Sequence, residues 1–70
     1  MGEINKTLNY TNPLDEIIDR YKKDPWVYDD NVYVCYEACK TVIRRMERES
    51  KIRYEDYDLY IQYITNKLGI

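Results

Sequence analysis

Leu14, Ile17, Ile18 and Tyr21 recur at i, i+3, i+4 and i+7. That spacing gathers four apolar side chains on one face of an α-helix but scatters them over both faces of a strand. The flanks agree with a helix. Asn12 supplies a cap, Pro13 suits the first helical position, and Asp15 and Glu16 put negative charge in the first turn, where the helix dipole favours it. Glu16 with Arg20, and Asp19 with Lys23, stand four apart with the acid first, on the solvent side. Asp24-Pro25 ends the run, because a residue before proline is driven out of α geometry. A first helix over 13–24 is expected.

The next segment, Trp26 to Tyr36, has two readings. Asp29-Asp30-Asn31 between β-branched and aromatic residues would suit a short β-hairpin over 26–36. The apolar pattern nevertheless runs on unbroken through Ile43, Asp30 or Asn31 would cap a helix well, and a lone hairpin is marginal. The helical reading is favoured, with a second helix over 31–49 burying Cys35, Ala38, Cys39, Val42 and Met46. A short connection from Ser50 to Tyr54 makes the next helix its antiparallel neighbour. That third helix, over 55–68, opens on Glu55, Asp56 and Asp58 and stops at Gly69. The expected fold is all-α, one three-helix domain over 12–70, preceded by a polar, aperiodic arm at residues 1–11 that is expected to be flexible and to fray. Trp26, just past the proline, is expected to plug the core.

A 70-residue domain has a small core, rarely contributing more than roughly 3–5 kcal/mol, and usually needs a staple. Cys35 and Cys39 are the only cysteines and fall one helical turn apart, too splayed for a relaxed disulfide. There is no histidine to complete a metal site, so neither metal nor cofactor is expected. Association with another chain is the staple that remains. Free thiols, the lack of an apolar run after a basic start, and the lack of a membrane-length stretch point to the cytosol and away from membranes. A net charge of −2 provides no general attraction to nucleic acid or anionic lipid.

Nine residues are tyrosine and none is phenylalanine, a bias that suits half-wet surfaces because each ring carries a hydroxyl. Laid out as a helix, the third segment has one apolar stripe of Tyr54, Tyr57, Ile61, Ile64 and Leu68. A second stripe of Leu59, Tyr63 and Ile70 lies opposite, with Tyr60 on the flank between them. Three helices cannot cover both sides. The candidate partner-binding residues are therefore Leu59, Tyr60, Tyr63 and Ile70, supported by Tyr33 and Tyr36 from the second helix.

A competing feature is the basic stripe of Lys40, Arg44, Arg48 and Lys51, with Arg45 and Arg53 nearby, which suits a phosphate backbone. Glu47 and Glu49 soften it, and no recognised nucleic-acid-binding motif accompanies it. Imitation of nucleic-acid charge by Asp15, Glu16, Asp19, Asp24, Asp29 and Asp30 is interrupted by Arg20, Lys22 and Lys23. Enzymatic chemistry finds little support. Histidine is absent, Ser50 is the only serine, and Gly2 and Gly69 cannot form a phosphate loop. The expected function is a small non-catalytic protein-interaction module, a regulator or inhibitor that occupies a protein surface, with its own copy (a homodimer) among the partners. Many small proteins of bacteriophages and mobile elements share this composition. Nucleic-acid binding through the basic stripe is the alternative.

Overall fold

The computed structural model of the chain describes residues 8–70. Its three α-helices are α1 (Asn12–Lys23), α2 (Val32–Arg48) and α3 (Tyr57–Leu68), and short 3-10 turns span Pro25–Tyr28 and Tyr54–Asp56. The all-α, three-helix expectation holds. The hairpin alternative at 26–36 does not: that segment is a 3-10 turn followed by the first turn of α2, and the described residues contain no strand. Asn31 is extended and its side chain accepts the Tyr33 N–H at 2.9 Å, the capping bond that starts α2. At α1 the boundary shifts by one residue. Asn12 lies inside the helix, Thr11 occupies the cap position without a side-chain capping bond, and the Asp15 N–H donates to the Thr11 carbonyl at 2.7 Å.

Residues 1–7 of the expected arm lie outside the described residues. Its remaining part is docked: Leu8 packs half-buried against the core, and the Tyr10 N–H donates to the Tyr60 hydroxyl at 3.3 Å.

The 3-10 turn ahead of α2 and α2 itself each end on a left-handed residue, and neither uses glycine. In the first, the Asp30 N–H donates to the Pro25 carbonyl at 2.9 Å and the Asp29 N–H to the Trp26 carbonyl at 3.1 Å, a Schellman pair with Asp29 at φ 60° and Asp30 at φ 53°. At the end of α2, Lys51 donates to Met46 at 2.9 Å and Ser50 to Glu47 at 3.0 Å, with Ser50 at φ 63°. Gly69 alone, at φ 75° after α3, is the residue type that takes this conformation freely. Aspartate tolerates it through local hydrogen bonding, but serine does so less well. Ser50→Gly is therefore expected to stabilise the fold by about 0.5–1 kcal/mol, raising Tm by several degrees. An unchanged or lower Tm in a thermal melt followed by circular dichroism would show that Ser50 carries no strain.

The core comprises Leu14 and Ile18 of α1, Cys35, Cys39, Ile43 and Met46 of α2, Ile52 of the second connection, and Tyr60 and Ile64 of α3. On α2 these fall at i, i+4, i+8 and i+11, one straight face. Ile43 takes the central place expected of Val42, which stays half-buried like Ala38. Cys35 and Cys39 are free and fully buried small hydrophobes. The Cys35 thiol donates a weak bond to the Ile17 carbonyl at 3.9 Å. Burial pushes the Cys39 thiol up to about 12, the neighbouring Cys35 adding to the effect, and burial also raises Cys35. Both are thus held as inert thiols at neutral pH.

Trp26 is not a core plug. It is 68% exposed, and the buried residue supplied by a connection is Ile52.

Candidate protein-binding site

Helix α3 packs against both α1 and α2. The arc it buries therefore faces the gap between its two neighbours and belongs to neither apolar stripe alone. Tyr60, expected on a binding flank, falls in that arc: only 3% of it is exposed. This corrects its assignment as a surface residue, because the ring fills the core while the hydroxyl reaches Tyr10 at the edge. Tyr54, expected on the buried stripe, is 83% exposed, since it precedes the helix proper in the 3-10 turn.

Tyr63 is half-buried and tied down. Its hydroxyl donates to Asp15 Oδ1 at 2.5 Å, across from the first turn of α1, and Lys67 Nζ lies 5.6 Å from its ring centroid. Burial, and then the bond to Asp15, raise its pKa above the usual value of 10.0. A raised folded value means that the stabilisation is complete below the unfolded pKa and is lost as pH rises through the folded one. Tyr63→Phe is expected to cost about 1–2 kcal/mol at neutral pH, a bond to a charged acceptor discounted for partial exposure. It should also make stability fall less steeply above pH 10 than in the parent chain. Urea titrations of the two proteins at neutral and alkaline pH test both points, and identical curves at neutral pH would mean that the bond contributes nothing.

Leu59 and Ile70 remain partly exposed, as expected of the second stripe. Leu59 and Tyr63, with Leu8, Gln62 and Asn66, line a shallow open groove of about 270 Å³. The arm residue Leu8 thus completes one wall of the surface that the α3 pattern pointed to.

On α2, Tyr33 is 61% exposed, while Tyr36 is half-buried. The ammonium of Lys40 sits 5.2 Å from the Tyr36 ring centroid and 3.3 Å from Glu37 Oε2, which makes it the most enclosed member of the basic stripe. Lys51 pairs with Glu49 at 3.4 Å. Among the described residues Arg44 and Arg48 make no ion pair, so half of the stripe carries free charge.

The residue that sequence reasoning misplaced is Trp26. The turn that carries it is closed by the bonds from Asp29 and Asp30, so the indole and the neighbouring exposed Val27 project from a defined backbone. The signal available in the sequence was a tryptophan inside a short segment between a helix-stopping proline and an Asp-Asp-Asn cap, with no room for a buried element.

No group of three or more potential metal ligands clusters among the described residues, and no helix among them is long and apolar enough to cross a membrane. No protein family, curated protein or solved structure matches the chain.

Proposed function

We propose that the chain is a non-catalytic protein-interaction module, a small regulator or inhibitor that acts by occupying a partner's surface, with Trp26 as its anchor and Val27 beside it. The exposure of Trp26 on a locked turn carries this reading. Tryptophan is the residue type most enriched at binding hot spots. Burying the 68% of Trp26 now in water would contribute about 2.5–4 kcal/mol, taking a full side-chain area of roughly 150–250 Å² at about 25 cal/mol per Å². Little ordering cost offsets that gain, because Pro25 and the two turn bonds already hold the backbone. The two buried free thiols fit a reducing compartment such as the cytosol.

Nucleic-acid binding is the weaker reading. With Lys40 and Lys51 engaged by glutamates, Arg44, Arg48 and the neighbouring Arg45 offer a footprint of about two to three phosphates, too few for substantial affinity at physiological salt.

The test is site-specific photo-crosslinking in cells that naturally make the protein, with the reactive group at position 26 or at the exposed control position Glu16. A discrete adduct with another protein from position 26 only is the expected result. No adduct, or the same adducts from both positions, would remove the interaction reading.

A further inference from the structure

Tyr33, Glu37, Lys40, Thr41, Arg44 and Arg48 occupy a solvent-side arc of about 100° on α2, opposite Cys35, Cys39, Ile43 and Met46. The order of charge along this stripe is informative. Its N-terminal half carries the exposed Tyr33 ring and the Glu37 carboxylate. Its C-terminal half carries Arg44 and Arg48, exposed and without an ion pair among the described residues. The two halves are complementary in chemistry, yet they cannot meet within one molecule. Glu37 and Arg44 lie seven residues apart, roughly 10 Å along a rigid helix.

We propose that the chain forms a two-fold homodimer in which the α2 helices pack antiparallel through this stripe. Glu37 of each copy faces Arg44 of the other, and each Tyr33 ring faces the guanidinium of the other copy's Arg48. This goes beyond the Trp26 reading and uses a different surface. The occupant is a second copy because the register closes on itself. The pairs 33–48 and 37–44 share one midpoint, between Lys40 and Thr41, so a single two-fold axis there satisfies both pairs twice. Arginine stacks on an aromatic face and bonds a carboxylate through a planar fork, so both contacts are ones that an arginine seeks.

The centre of the stripe also suits such an axis. Two Lys40 ammoniums meeting there would repel, but each lies over Tyr36 and is paired with Glu37 Oε2 at 3.3 Å, which leaves Glu37 Oε1 for the partner's Arg44, and Lys40 is the least exposed lysine or arginine of the stripe. Thr41 is short, and its hydroxyl is turned back onto the Glu37 carbonyl at 3.0 Å, so two helices can approach at that point. Beyond Tyr33, the exposed Asp29 and Asp30 extend the acidic end toward the partner's basic end. The contact is polar and open to solvent, so the dimer is weak and salt-sensitive.

Sedimentation equilibrium of the full chain up to about 1 mM, at low and high salt, tests this, with circular dichroism confirming that each variant is folded. A monomer–dimer equilibrium is expected, weakened by salt. Glu37→Arg and Arg44→Glu should each loosen it by about tenfold or more, because each reversal spoils two contacts. The double variant Glu37→Arg/Arg44→Glu restores both pairs across the axis and should return to within about threefold of the parent. Glu16→Arg on α1 should leave association unchanged. Thr41→Cys should form an intermolecular disulfide under mild oxidation, while the buried native thiols do not react. A monomer throughout, a dimer indifferent to the single reversals, or a double swap that fails to rescue would each overturn the proposal.

Discussion

Ile64→Ala is expected to remove most or all of the cooperative fold, at a cost of about 2–5 kcal/mol. Ile64 has no exposed surface and sits on the arc of α3 that faces both other helices, so the cavity left by its truncation has no solvent side into which to collapse. A domain of this length holds roughly 3–5 kcal/mol of core stability, which puts the loss on the scale of the whole. Ile61, one turn earlier, is only half-buried, and its truncation should cost about half as much. Urea denaturation followed by circular dichroism separates the two. A cooperative Ile64→Ala transition displaced by less than about 1 kcal/mol would place the core elsewhere.

The second large effect concerns Tyr60. Tyr60→Ala should cost about 3–5 kcal/mol, the range of buried aromatic truncations. Tyr60→Phe should cost no more than about 1 kcal/mol, since it keeps the ring and gives up one long bond from the Tyr10 N–H at the edge of the core. The pair of variants tells the two roles of this residue apart. A binding-surface tyrosine would tolerate truncation and fail in association; a core tyrosine fails in folding and tolerates loss of the hydroxyl. A folded, stable Tyr60→Ala protein would return the residue to the surface.

The candidate site was legible in part. Leu59, Tyr63 and Ile70 were readable as a second apolar stripe because helical spacing is a local property, and Leu59 and Tyr63 do line a groove. The other wall, Leu8, was not readable, since only folding brings the chain before α1 against α3. Nor was the engagement of Tyr63, whose hydroxyl meets a carboxylate 48 residues away. Of the basic stripe, the spacing was readable, but the capture of Lys40 by Glu37 and Tyr36 depends on which rotamers the packed helix leaves open.

By itself the sequence determined the three helices, their limits to within one or two residues, and the burial of both cysteines. Those follow from periodicity, capping residues and prolines, which act within a few residues of themselves. Tertiary structure alone decided which arc of α3 is inside, because a tyrosine can serve as core or as surface and only the angle between two neighbouring helices selects. It also decided that Ile52, rather than Trp26, closes the core. Both follow helix-breaking signals and both are large and apolar, and what separates them is the backbone that delivers each: Ile52 follows the left-handed Ser50, whereas Trp26 follows the Asp24-Pro25 break, with Asp24 at φ −132°, and precedes the left-handed Asp29.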